Sequence, residues 1–196
     1  MINNPASVLS RLLYKGLLAI TVITLVNCNQ RYQETHNTSN SEFKAFKEIS
    51  TDVNRALHKR ITHITKIKFD HKGHGYRFTG VHSKIAIDNA HGKARIEIVT
   101  LPNAAGVYEA KVFAKGPDGI EITKTGNGGK STFFPDNWDE SKILEETEYA
   151  IKNNKGFENG IDDADGYYGY SKDGKVRIGF YYRNGAIISF FPTLRK

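Results

Sequence analysis

Apolar residues recur along the chain with two different periods, and each period predicts its own kind of element. From residue 43 they return at steps of three and four, which predicts an amphipathic helix with Ser41 at its N-cap position. Its apolar stripe consists of Phe43, Phe46, Ile49, Val53, Ala56 and Leu57. After Arg60 the period becomes two, which predicts β-strands. The first predicted strands span residues 61–70, 76–87, 94–101, 107–115 and 119–125, with the first pair joined at 71–74.

A helical period returns late in the chain. Asp139 stands at an N-cap position, and Gly156 marks the expected end of this helix. Its apolar face consists of Ile143, Leu144, Thr147, Ala150 and Ile151. Strands are then predicted over residues 167–170, 175–182 and 186–192, and Asn184-Gly185 predicts a tight hairpin between the last two. The whole pattern predicts an α+β fold: an N-terminal helix followed by mainly antiparallel β-sheets with one inserted helix.

The N-terminus has the layout of an export signal. Residues 1–28 form a predicted signal peptide, in which basic residues precede an apolar run that is too short to cross a bilayer. Its ending, Leu-Val-Asn-Cys, resembles a lipoprotein processing box, so Cys28 is a predicted lipidation site and the membrane a partner through that anchor. Asn27 replaces the usual small residue, which leaves a simple signal peptide as the alternative. We therefore expect an exported protein, either a cell-surface or periplasmic lipoprotein or a secreted one.

Composition divides the rest of the chain into two parts, and net charge limits the kinds of partner to expect. Residues 29–42 are polar and predict a tether, followed by a single domain over residues 43–196. The net charge of +7 favours a polyanionic partner such as nucleic acid, an anionic membrane or an acidic protein, although a merely basic soluble protein has the same charge. With one cysteine, the chain has no intramolecular disulfide and no Cys-based zinc site.

Histidines are the main candidates for chemistry. Five of the seven fall within residues 63–91, and imidazole titrates near neutral pH, so a pair of them can act as general base and general acid. The predicted hairpin would place His63 and His82 on paired strands. Surface histidines on a basic protein are the alternative. His71 and His74 lack a third ligand beyond the adjacent Asp70, so we predict no metal site.

Residues 130–138, Lys-Ser-Thr-Phe-Phe-Pro-Asp-Asn-Trp, resemble the motif Lys-Ser-Thr-Phe-Phe-Pro-x-x-Trp of the bacterial EndoU nuclease domain, which leads into a helix. Four further segments agree with that family in order: His-Ile at 63–64, Thr-Gly-Val-His at 79–82, Gly-Val-Tyr-Glu-Ala-Lys-Val at 106–112, and the ending at 184–192. The resemblance covers residues 55–192.

The resemblance implies an endoribonuclease that cleaves single-stranded RNA by metal-independent transesterification and leaves a 2′,3′-cyclic phosphate. Two histidines would act as acid and base, and a lysine would stabilise charge on the phosphoryl group. Carried onto this chain, these residues are His82, His63 and Lys130, with His71 as the rival second histidine. Which histidine is the acid stays open. No cofactor is required, although manganese stimulates some relatives.

The same resemblance implies substrate contacts and partners. Ser189 takes the position of a hydroxyl residue that contacts the base. Phe191 replaces the family's tyrosine: its ring can stack on a base but cannot donate a hydrogen bond, which puts strict uridine preference in doubt. RNA is the expected substrate, and a toxin role would add a cognate immunity protein. The alternative is a non-catalytic surface lipoprotein that uses the EndoU scaffold as an RNA- or protein-binding module.

Overall fold

The computed structural model describes residues 53–73, 75–161 and 164–195, all within one compact unit that spans residues 45–196. The predicted signal peptide, the tether, Cys28, the first half of the predicted N-terminal helix and His74 lie outside the described residues. No helix among the described residues is long and apolar enough to cross a membrane.

The described chain is an α+β fold, as the sequence predicts. Its α-helices are α1 (Val53–Thr65), α2 (Lys84–Asp88) and α3 (Glu140–Lys152). Its strands, paired throughout in antiparallel fashion, are β1 (Phe69–Lys72), β2 (Gly75–Phe78), β3 (Ala94–Thr100), β4 (Tyr108–Lys115), β5 (Glu121–Thr123), β6 (Lys130–Phe133), β7 (Phe157–Ile161), β8 (Ala164–Tyr170), β9 (Arg177–Arg183) and β10 (Ala186–Thr193).

Strand β4 organises the first large sheet. It pairs with β3 along one edge, and with both β5 and β6 along the other. β5 pairs with residues 113–115 of β4 and β6 with residues 108–111, so the two short strands follow each other along β4. The backbone N–H of Lys124, just after β5, donates to the carbonyl of Val112 at 2.9 Å. Lys124 therefore lies in the gap between β5 and β6.

The second large sheet has the strand order β10-β9-β8-β7. Helix α1 packs against β10 and against α3, and α3 in turn packs against β8. The two large sheets meet where β10 contacts β6. This contact brings the C-terminal strand beside the segment that carries the Lys-Ser-Thr-Phe-Phe motif.

The strand predicted over residues 61–70 is wrong in its first half, because α1 continues to Thr65. Leu57, Ile61 and Ile64 are all buried and follow each other at helical steps, so their packing on α3 and β10 favours a helix. The strand predicted over residues 76–87 is also wrong beyond Phe78. Gly80 and Val81 have positive φ angles of 78° and 63°, which no strand accommodates.

Other local predictions are confirmed. The Asp139 carboxylate accepts the backbone N–H of Lys142 at 2.7 Å and caps α3. The end predicted at Gly156 is wrong, because that helix ends at Lys152 and Asn153 is its C-cap. Asn184 and Gly185 both have positive φ angles, as a two-residue turn between antiparallel strands requires.

Candidate active site

The loop that follows β2 carries His82 and is hydrogen-bonded to the C-terminal end of α1. The last carbonyls of a helix have no partner within the helix. Here the N–H of Val81 donates to the His63 carbonyl at 2.9 Å, and the N–H of His82 donates to the Ile64 carbonyl at 3.1 Å. The positive φ of Val81 is unusual for a β-branched residue, and strained backbone of this kind often lies beside functional groups. The loop and the helix therefore form one rigid corner.

His82 is nearly buried in this corner, with 9% of its surface exposed. Its Nδ1 lies 2.8 Å from the carbonyl oxygen of Thr132 on β6. A carbonyl oxygen only accepts, so Nδ1 carries the proton and donates it. The other ring nitrogen, Nε2, is then the proton acceptor of the neutral imidazole. The backbone carbonyl of His82 also accepts the N–H of Phe134 at 2.9 Å, which fixes His82 along the edge of β6.

His63 lies in the last turn of α1, half-buried beside the same loop. Gly80 approaches it so closely that a Cβ added there would lie 2.1 Å from the His63 carbonyl oxygen and 2.7 Å from its Nδ1. The structure therefore brings the two predicted histidines together. It does so with a helix and a loop, and not with the paired strands that the sequence predicts, because α1 extends past His63.

The pKa of both histidines is lowered, which favours their neutral form. Burial lowers the pKa of His82 well below its usual value, the charge of Lys124 lowers it further, and the hydrogen bond to Thr132 only partly opposes them. Burial also lowers the pKa of His63, followed by the charges of Lys124 and Arg60. A neutral imidazole at physiological pH is a competent general base.

Lys124 is a member of this site that the sequence did not reveal. It is nearly buried, and its Nζ donates to the carbonyl of Lys130 at 2.6 Å. That carbonyl and the carbonyl of Thr132 are two residues apart on β6, so they point to the same edge about 7 Å from each other. Lys124 and His82 therefore occupy consecutive positions along one strand edge. No sequence pattern marks this, because it depends on β5 and β6 sharing one edge of β4.

Lys130, the lysine expected from the family resemblance, begins β6. Its ammonium group pairs with the carboxylate of Glu109 on β4, at 3.2 and 3.3 Å from the two oxygens. About a third of the Lys130 side chain is exposed, so this ion pair lies at the surface of the site. Its backbone carbonyl is the acceptor that holds Lys124.

Phe191 on β10 packs directly on His82. Their ring centroids are 5.5 Å apart, and the Phe191 ring also packs on Tyr181, with centroids 5.2 Å apart. Phe191 is only 3% exposed, so its ring has little face left for a base in this conformation. Ser189 is half-buried and is the register partner of Tyr181 across β9 and β10. The half-buried Tyr181 therefore offers the more open aromatic surface beside Ser189.

His71, the rival second histidine, is exposed on β1, which pairs with β2 in a two-stranded hairpin. Its ring packs edge-on against Tyr76 with centroids 5.1 Å apart. The corner around His82 is built by the end of α1, so the geometry favours His63 as the partner of His82. Among the described residues, no group of three or more His, Cys, Asp or Glu side chains could hold a metal ion.

Comparison with known proteins points to the same family as the sequence motifs. The family model described as bacterial EndoU nuclease matches residues 57–194. A Bacillus cereus protein named "Toxin" is 36% identical over 115 residues, which are 58% of this chain and 19% of that protein. The chain thus matches about a fifth of the length of this relative. No solved structure matches with significance. The family match spans well over half of the chain and includes both histidines and the Lys-Ser-Thr-Phe-Phe motif, so the chain belongs to the bacterial EndoU nuclease family.

Proposed function

We propose that this nuclease is an endoribonuclease that cleaves single-stranded RNA by transesterification and leaves a 2′,3′-cyclic phosphate. The observation that carries the proposal is the corner in which His82 and His63 adjoin. Burial and the nearby Lys124 ammonium group act on the protonation of both rings, and the Thr132 carbonyl acts on that of His82. Two such rings can take one proton from the substrate and donate another to it at the same phosphodiester, and this acid–base step needs no metal ion.

His82 acts as the general base in this proposal. Its Nδ1–H is committed to Thr132, so Nε2 presents a lone pair, and the lowered pKa favours the form in which that lone pair carries no proton. Nε2 takes the proton of the ribose 2′-hydroxyl. The 2′-oxygen then forms a bond to phosphorus while the bond from phosphorus to the 5′-oxygen breaks.

His63 acts as the general acid. It is less buried than His82, so protonation costs it less desolvation. An anionic phosphodiester beside the ring raises its pKa and favours the protonated form in the complex. His63 then gives its proton to the departing 5′-oxygen, which balances the proton taken by His82.

Two lysines stabilise the negative charge on the phosphoryl oxygens. Lys130 matches the position of the family's lysine. Its ammonium group would partly exchange the ion pair with Glu109 for one with the substrate phosphate. Lys124 is fixed within the site by the Lys130 carbonyl and adds a constant positive potential. Ser189 and Tyr181 lie beside Phe191, where a base next to the cleaved bond would be recognised.

Cleavage of a 5′-labelled RNA oligonucleotide in EDTA tests this proposal. We expect the purified wild-type protein to cut the RNA and to leave cyclic-phosphate ends. His82→Ala and His63→Ala should each lose at least about a hundredfold in rate, the usual scale of acid–base catalysis. His71→Ala is the matched control, an exposed histidine whose loss should leave the rate unchanged.

Two outcomes would overturn the proposal. A folded wild-type protein that does not cut RNA with or without manganese would favour the alternative, a binding module on the same scaffold. Loss of activity in His71→Ala, with activity kept in His63→Ala, would move the second catalytic role to the hairpin.

We also propose a toxin role with a cognate immunity protein, supported by the relative named "Toxin". Expression in the cytoplasm should stop growth of the host cell, and His82→Ala should relieve it.

Export through the N-terminal segment, with lipidation of Cys28, belongs to the same proposal. Cys28→Ser should then release the protein from the membrane fraction. Unchanged partitioning of that variant would refute the lipid anchor.

A further inference from the structure

A cavity of about 570 Å³ lies on the first large sheet, beside the elements that hold the histidines. Its floor is apolar and includes Ile67, Phe69 and Ala114. Its rim carries the lysines Lys66 and Lys93. A cavity of this size with an apolar floor fits a small ligand or one unit of a larger one.

The charge of this cavity is entirely positive. Three lysines line it, Lys66, Lys93 and Lys115, and no Asp or Glu of the described chain does. Lys115 faces Glu121 across β4 and β5, but that carboxylate is already held by the Arg95 guanidinium at 2.7 and 3.0 Å. A cluster of cations around an apolar floor favours a ligand with both an anionic group and a flat apolar body, and a nucleotide has both.

The cavity lies next to the segments that carry the two histidines. Lys66 follows the last residue of α1 and continues its hydrogen bonding, because its N–H donates to the Thr62 carbonyl at 3.2 Å. It therefore lies about one helical turn, on the order of 5 Å along the axis, beyond His63. Ala86 on α2 forms another wall, four residues after His82. This closeness would let an RNA strand bound at His63 reach Lys66 at the cavity.

We propose that this cavity is a subsite for a nucleotide of the RNA strand that lies beyond the two nucleotides joined by the cleaved phosphodiester. The lysines hold the phosphate of that nucleotide, and its base rests on the apolar floor. The subsite rests on the proposed ribonuclease function for its position along the strand. Binding to it can nevertheless be measured without any cleavage.

The test compares two double variants that remove the same charge. Lys66→Gln/Lys93→Gln changes the rim of the cavity. Lys59→Gln/Lys175→Gln is the matched control, since both lysines are exposed and neither lines the cavity. Each pair removes two positive charges from the net +7, so non-specific attraction falls equally. All four side chains are at the surface, which keeps the fold intact.

Binding is measured by fluorescence anisotropy with a 2′-deoxy oligonucleotide of about ten bases, which cannot undergo the transesterification. We expect the cavity variant to weaken binding about tenfold more than the control. The log–log slope of affinity against salt should also become shallower by about 0.7 for each phosphate of the single strand that the variant no longer neutralises. In cleavage assays, its KM should rise for the long ribo-oligonucleotide but not for a dinucleotide, which is too short to reach the cavity.

The outcomes separate the two proposals. Equal weakening in both double variants, or no binding by the wild type, would overturn the subsite. An equal rise in KM for the dinucleotide and the long RNA would overturn it as well. If the wild-type protein binds the deoxy-oligonucleotide through the cavity but cuts no RNA, the subsite stands and the proposed ribonuclease function fails.

Discussion

Replacing Gly80 with alanine should damage the candidate active site more than the fold. Gly80 has a φ of +78°, and the Cβ of an alanine would lie 2.1 Å from the His63 carbonyl oxygen. The carbonyl of Gly80 also accepts the hydroxyl of Ser131 at 3.0 Å, which ties this loop to β6. The loop cannot simply move outward, so the substitution must displace the end of α1 or the segment that carries His82.

The size of the effect follows from these contacts. The added carbon needs at least 3.0 Å from the His63 oxygen, so the two backbones must separate by about 0.9 Å. A displacement near 1 Å in a catalytic group costs on the order of a hundredfold in rate. The left-handed backbone costs about 1–2 kcal/mol for a residue with a Cβ, and the overpacking adds roughly 1–3 kcal/mol.

Gly119→Ala is the matched control for the backbone term. Gly119 has a φ of +79° and nothing within 4 Å of its added Cβ. We expect Gly119→Ala to lose only the backbone term of about 1–2 kcal/mol in urea unfolding and to keep its activity. Gly80→Ala should lose more stability and about a hundredfold in kcat/KM on an RNA oligonucleotide. If both variants lose equal stability and both keep kcat/KM within about threefold of wild type, the close approach of Gly80 does not set the geometry of the histidines.

Three further predictions concern the same region. Lys124→Met should raise the pKa of both His63 and His82, since it removes a positive charge beside them; an NMR titration of the ring signals that shows both unchanged would contradict this. The free energy of unfolding should fall as the pH drops below about 6.5, because the unfolded chain binds protons there before the buried histidines do. The slope is at most about 1.4 kcal/mol per pH unit for each histidine, and urea unfolding should show a smaller slope for His82→Gln. Tyr108→Phe removes the hydroxyl that donates to Asp136 at 2.8 Å, so it should cost about 1 kcal/mol in the same assay, and an unchanged midpoint would argue against that bond.

The parts of the fold that could be predicted from the sequence are those with local signals. The cap at Asp139 and the Asn184-Gly185 turn depend on residues a few positions apart, and both are present as predicted. The second half of α1 has an ambiguous local signal. Ile61 and Ile64 continue the helical steps from Leu57, but they are β-branched and also suit a strand, and their burial in the packed structure favours the helix.

The residues of the candidate site also fall into those that have a local sequence signal and those that do not. His63, His82 and Lys130 could be identified because they lie in short motifs that resemble a family. Lys124 could not, since its place beside His82 results from pairings of β4 with two strands that are separated in sequence. The burial of Phe191 against His82 was equally hidden, because it depends on how β10 meets β6.

The edge of β6 that holds the site has a second consequence, for solubility. A strand edge with open carbonyl and N–H groups is a template on which another chain can pair. Here the Lys124 ammonium donates to the Lys130 carbonyl, and the His82 ring donates to the Thr132 carbonyl. The backbone carbonyl of His82 accepts the N–H of Phe134. The groups proposed for chemistry thus also shield this edge from intermolecular β-pairing. Variants made inactive by removing these side chains will uncover part of the edge, so their tendency to self-associate has to be checked before they serve as inert controls in cells.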